Sequence, residues 1–246
     1  MKIAIYGDSY ANGFVDESLN DDLSWVQILY RKYRDSYSFS NFGHRGSSLY
    51  YSYTKFFETH RDFDKIVFFI TFPSRIYLTS PLIDNDHKRH INGVDTAARL
   101  VETYSNGLSR MVFKAAYDYY LHIHNPEEDA LYSKLMLAEL KRHRPGDCLF
   151  INNQTIVSND DLNFYQVSPT EAASKYYDVR HCHMSAEKHI LLAEEIDKFL
   201  KEEIAEINYT ALGAATPSKE FNKYFLPMYR NAATQVSFDQ HMSLVK

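Results

Sequence analysis

Four short apolar runs, kept apart by stretches too long for hairpin turns, constrain this chain more than any other feature. They occupy residues 2–6, 37–42, 66–72 and 147–152. Runs of this length, bounded by polar or turn residues, are what strands buried on both faces of a parallel sheet leave in a sequence. The second run is the weakest, with serines between its aromatic residues. The intervening stretches carry helical spacing. Trp25, Ile28, Leu29 and Tyr33 recur at threes and fours after Ser24, an N-cap residue type. Residues 96–122 read as one long helix, and residues 126–142 as another opened by Pro126, which suits a first turn. Ser185 opens a helix over residues 186–204, with Ile190, Leu191, Ala193, Ile196, Leu200 and Ile204 as its apolar stripe. Strand–helix alternation with crossover-length connections predicts an α/β protein, a three-layer α/β/α sandwich around a parallel sheet. In such sheets ligands bind beyond the carboxyl ends of the strands, so the chemistry is expected there.

Two regions stand outside that alternation. Residues 77–125 exceed an ordinary connection and are expected to form a helical insertion near the site. Residues 206–246 follow the last helix without clear periodicity and read as a C-terminal extension, either a strap over the body or an arm for homo-oligomer contacts. Residues 1–205, the insertion included, are expected to form the main domain.

Composition narrows the function classes. The 246 residues carry a net charge of −5, so the basic face of a nucleic-acid-binding protein is not expected. An aromatic content of 15% argues for a packed core rather than disorder. Two cysteines, Cys148 and Cys182, make no disulfide framework, which fits a reducing compartment. The first residues run from Met1-Lys2-Ile3 into Gly7-Asp8 after too few apolar positions for a signal peptide, and no apolar run reaches membrane-spanning length. The expectation is a cytoplasmic protein without membrane contact.

Three segments carry residues suited to chemistry. The first run ends in Gly7-Asp8-Ser9, where Gly7 permits a sharp turn that would present Ser9 at the sheet edge, the place for a nucleophile. Read alone, the tripeptide is also a common turn. After the second run comes Asn41-Phe42-Gly43-His44-Arg45-Gly46, whose two glycines let backbone N–H groups converge on an anion. Read alone, it is equally a Gly-rich connector. Asp178-Val179-Arg180-His181-Cys182-His183-Met184-Ser185 precedes the last helix and places a carboxylate and two histidines where a helix start would fix them. A histidine there suits a general base, with Asp178 orienting its other nitrogen. The cluster His181, Cys182, His183 and His189 lacks a second Cys or carboxylate at ligand spacing, so no metal is expected.

These three blocks occur in the chain order of one family. The sequence resembles the SGNH (GDSL-type) hydrolases, serine esterases with a flavodoxin-like sheet, over roughly residues 1–205 apart from the insertion. The resemblance implies that Ser9 is the nucleophile, that Ser9 and Gly46 supply oxyanion N–H groups, and that His183 is the base with Asp178 behind it. It implies no metal or organic cofactor, and a small-molecule or glycan ester as substrate. The chain departs from the family pattern twice. After the third run stands Thr71-Phe72-Pro73-Ser74-Arg75, where the family has an Asn that donates to the oxyanion, leaving Ser74 or Arg75 as replacement donors. The family spacing Asp-x-x-His is kept by Asp178 and His181, whereas His183 has the helix-start context, so His181 is the alternative base. These departures leave a second reading open, a catalytically silent module of the same fold that binds a glycan or protein.

Overall fold

The structure, a computed structural model, describes residues 1–8, 11, 24–44, 46–71, 74–83, 90–91, 93–104, 107–144, 146–152 and 186–207. Three of the four apolar runs are strands β1 (Lys2–Tyr6), β3 (Lys65–Ile70) and the last strand among the described residues (Cys148–Asn152), and the weak second run is strand β2 (Ser38–Asn41). Between β3 and the last strand lie two further short strands, β4 (Ile76–Tyr77) and β5 (His90–Ile91), so the last is β6. Among the described residues the α-helices are α1 (Trp25–Tyr33), α2 (Leu49–Thr59), α3 (Val94–Thr103), α4 (Leu108–His122), α5 (Pro126–His143) and α6 (Ala186–Leu200).

Among the described residues, the central sheet has the order β2-β1-β3-β6, and every neighbouring pair is parallel. Counting only these four strands in chain order, that is 2-1-3-4, the beginning of a flavodoxin-like sheet. The side chains sort by alternation, as strand geometry requires. Ile3 and Ile5 of β1, Val67 and Phe69 of β3, and Leu149 and Ile151 of β6 pack with Trp25, Ile28 and Leu29 of α1 and Ile190, Ala193 and Ile196 of α6. Ala4 and Tyr6, Ile66, Phe68 and Ile70, and Cys148 face the other way, against Leu49 and Phe56 of α2 and Leu140 of α5. The predicted three-layer sandwich is therefore present. β3 is buried along its whole length, which is why its sequence reads as an unbroken apolar run.

The order also fixes the faces. The chain leaves β1 through α1 to reach β2 on one side, then returns through α2 to reach β3 on the other. With right-handed crossovers, reversing direction requires changing faces. Connections from the adjacent strands β1 and β3 thus depart to opposite faces, and a crevice opens between their carboxyl ends.

Three expectations need correction. The single helix over residues 96–122 is two helices, α3 and α4, because Gly107 ahead of α4 has φ +90°, which no helix accommodates. The last helix stops at Leu200 rather than 204, since Glu202 takes a left-handed φ of +63°. The Glu202 and Glu203 amides then cap carbonyls of the final turn, Phe199 (3.0 Å) and Lys198 (2.9 Å). The insertion contains an antiparallel ribbon besides its helices, with Ile76 opposite Ile91 and Tyr77 opposite His90. Ile83, Ile91, Ala97, Phe113 and Ala116 give this region a core of its own. Residues 208–246 of the extension lie outside the described residues. Among those described, no helix is long and apolar enough to cross a membrane.

α1 and α6 are joined by a buried ionic cluster as well as by apolar packing. Asp197 accepts from Tyr33 Oη and pairs with Lys32 Nζ (3.0 Å) and Lys201 Nζ (2.9 Å). Burial pushes the Asp197 carboxyl up, but these three donors outweigh it and hold the group below its usual range. A depressed carboxyl contributes stability that is complete above its unfolded pKa and lost as pH falls through the folded one. Asp197→Asn is expected to lower unfolding free energy by roughly 1–3 kcal/mol at neutral pH. Urea titrations should show that deficit constant above about pH 4 and shrinking below it; a deficit independent of pH would contradict the assignment.

Candidate active site

The site is built on the end of β1. Gly7 has φ +148°, and a Cβ placed there would lie 2.5 Å from Phe69 Cβ and 2.9 Å from Ala11 Cβ. Only glycine lets this turn lie flat against β3. The Ala11 amide then donates to the Asp8 carbonyl (3.0 Å), closing the ends of the turn that carries Ser9 in sequence. Ser9 itself lies outside the described residues, as do Asp178, His181 and His183.

The segment after β2 is bound to that turn from the side. Asn41 Nδ2 donates to the Ala11 carbonyl (2.7 Å), while Asn41 Oδ1 accepts from the Gly43 amide (2.7 Å). A Cβ at Gly43 would come within 2.9 Å of both the Ala11 carbonyl carbon and Asn41 Oδ1. The Gly7 carbonyl receives two donors, the His44 amide and Ser47 Oγ, each at 3.0 Å. The Ser47 amide closes a turn onto the His44 carbonyl (3.0 Å), with Gly46 at its third position and φ +74°, where glycine is favoured. Ser48 then caps α2 by accepting from the Tyr51 amide (3.1 Å). Each residue of the Asn-x-Gly-x-x-Gly pattern that the structure describes therefore has a definite mechanical task. Asn41 ties two turns together, Gly43 allows close approach, and Gly46 supplies the left-handed corner.

The third strand end contributes a charge. Arg75 Nη1 donates to Asp8 Oδ2 (2.5 Å) and to the Ser47 carbonyl (3.2 Å). The Asp8 side chain is completely buried and that of Arg75 is 12% exposed. Arg75 thus links all three strand-end segments at the crevice, and it does so beside Ser9 in sequence. The Ser74 carbonyl accepts from Tyr120 Oη (2.7 Å). The arrangement brings together Gly46, Ser74 and Arg75 of the expected site residues. It adds Asp8, Asn41 and Ser47, which lie in or beside the sequence motifs but had no role of their own, and Tyr120, which the sequence does not single out. The usable signal is a lone carboxylate and a lone guanidinium just beyond two predicted strands; which strands are neighbours came only with the fold.

A second contact joins two helices on one face of the sheet. The Trp25 amide, the first of α1, donates to Nδ1 of the buried His189 (3.3 Å). That nitrogen is an acceptor, so the ring proton sits on Nε2. This bond fixes the first turn of α6 at His189, six residues beyond His183 in sequence, against the start of α1. Among the described residues no group of three metal-ligating side chains is gathered.

No family model matches the chain, and no curated protein sequence matches it. Solved structures similar to it include a member of the lipolytic protein G-D-S-L family from Veillonella parvula DSM 2008, with 12% identity over 96% of this chain and 99% of that one at a TM-score of 0.34. They include the lipase/acylhydrolase from Enterococcus faecalis, with 14% identity over 82% and 96% and a TM-score of 0.33. A third is the acetyl xylan esterase AlAXEase, with 12% identity over 80% and 98% and a TM-score of 0.37. The α/β assignment itself rests on the strand order, the parallel register and the two-sided packing described above.

Gly7→Ala is expected to lower stability by roughly 2–4 kcal/mol, combining a strained φ with overpacking against β3. Denaturant unfolding measures this directly. A variant as stable as the parent would show that the turn does not lie against Phe69.

Proposed function

We propose that this chain is a serine ester hydrolase of SGNH type, acting on a small-molecule or glycan ester. The reading is carried by the buried Asp8/Arg75 contact, which holds Asp8, the residue before Ser9 in sequence, at the crevice between β1 and β3. Ser9 is assigned as nucleophile. His183 takes the Ser9 hydroxyl proton as Oγ attacks the ester carbonyl, and Asp178 orients the imidazole and stabilises its cationic form. Amides of Ser9 and Gly46 hold the oxyanion of the tetrahedral intermediate. His183 returns the proton to the departing alkoxide, giving the alcohol and an acyl-Ser9. Water, deprotonated by His183, then releases the acid and restores Ser9. These steps require no metal or organic cofactor.

Arg75 is assigned as a positioning residue rather than a third oxyanion donor, because its Nη1 group is turned to the Asp8 carboxylate and the Ser47 carbonyl. A site with one donor fewer than the family pattern is expected to turn over about 10²–10³ more slowly. A silent binding module of the same fold is the competing reading, and the missing Asn favours it. Residues 206–246 are assigned to homo-oligomer contacts or to a strap over the body.

A p-nitrophenyl acetate assay with fluorophosphonate labelling separates the two readings. Ser9→Ala should abolish both labelling and turnover. His183→Ala should lower kcat by roughly 10⁴ or more while His181→Ala has a modest effect. Absence of turnover and of labelling in the folded parent protein would leave the binding module; the reverse order of the histidine variants would move the base to His181.

A further inference from the structure

The insertion touches the crevice at two places, and both converge on Arg75. β4 begins at the residue after Arg75, and its partner strand β5 brings Ile91 opposite Ile76. Tyr120 of α4 lies across the root of this ribbon, with its hydroxyl 2.7 Å from the Ser74 carbonyl and 3.0 Å from the Ile91 carbonyl. A phenolic hydroxyl has one proton, so the two carbonyls share a single donor. Burial pushes the Tyr120 phenol above its usual range, which keeps that proton in place.

The second fastening is made of rings. At the next register position of the ribbon, Tyr77 and His90 have centroids 4.9 Å apart. The His90 ring lies 4.2 Å from that of His44, whose amide holds the Gly7 carbonyl, and 5.0 Å from Tyr51 of α2. Tyr51 in turn lies 5.1 Å from Tyr77. Between these fastenings, at Ser74 and Tyr77, lie Arg75 and Ile76. The long side chain of Arg75 carries substantial rotamer entropy, and pinning the backbone on both sides removes part of the freedom that its contact with Asp8 must otherwise overcome.

We infer that the insertion is a brace for the nucleophile turn, with Tyr120 as a positioning residue that acts through Ser74 and Arg75 on Asp8. As a statement about catalysis it rests on the hydrolase reading above. As a statement about mechanics it does not, because the turn has a reporter of its own, the Ala11 amide bonded to the Asp8 carbonyl.

The test uses the full chain and Tyr120→Phe, which removes the hydroxyl and keeps the ring. Hydrogen exchange at the Ala11 amide should accelerate about fivefold, the effect of losing one net hydrogen bond, while the Ile28 amide of α1 exchanges as before. On p-nitrophenyl acetate, kcat should fall by about the same factor with KM within twofold. In an Arg75→Ala background, adding Tyr120→Phe should change neither readout, since the path to Asp8 is already cut. Unchanged Ala11 exchange in Tyr120→Phe, or losses that add fully to those of Arg75→Ala, would overturn the inference. If the parent protein lacks esterase activity, the hydrolase reading falls while Ala11 exchange still decides the brace. If Tyr120→Phe unfolds, Tyr77→Leu loosens the other fastening and should accelerate Ala11 exchange in the same direction; no acceleration there counts against the brace.

Discussion

A carboxylate with no exposed surface has to be compensated inside the protein, and for Asp8 the guanidinium of Arg75 does this. Leaving a buried charge unpaired costs several kcal/mol, so the two residues are present together or the turn is rebuilt. Because Asp8 follows β1 and Arg75 lies beyond the end of β3, their contact also ties together the segments that leave the two strands at the crevice. Gly7 adds the steric half of the same constraint, since the turn can lie against Phe69 only without a Cβ. Electrostatic and steric requirements therefore select one geometry for a short stretch of chain, and Asn41, His44 and Ser47 fasten the neighbouring loop to it.

The two faces of the sheet serve the site differently. α1 and α6 clamp one face, with Trp25 stacked on Phe69 and a shared ionic cluster at Asp197. The insertion approaches from the crevice and grips by hydroxyl and ring contacts. The first arrangement resists unfolding of the whole domain. The second controls a few residues around a turn, which is the scale at which reactive groups must be held.

Much of this was legible in the sequence where burial leaves a simple trace. β3 is enclosed on both faces and reads as an apolar run; α1 and α6 bury one stripe and read as periodic. Ser24 marks a helix start because the physics of an unsatisfied amide is local. β4 and β5, at two residues each, are too short to show any period. Gly7, Gly43 and Gly46 pointed to the crevice because tight turns need glycine. Arg75 stood out by its position, but its partner did not, since Asp8 is 67 residues away and the pairing depends on which strands are neighbours. Tyr120 and His90 look like ordinary core residues in sequence; what distinguishes them is the backbone carbonyls and imidazole they meet after folding.

The bond from the Trp25 amide to His189 spans 164 positions of the chain. Closing so long a loop is entropically unfavourable, and contacts of this kind form late in folding. During synthesis at roughly 5–20 residues per second, the apolar face of α1 waits about ten to thirty seconds for α6 to be made. β1, β2 and β3 are complete by residue 70 and able to pair long before then. The scaffold is thus laid down early, while α6 arrives much later and closes the face that α1 has held open.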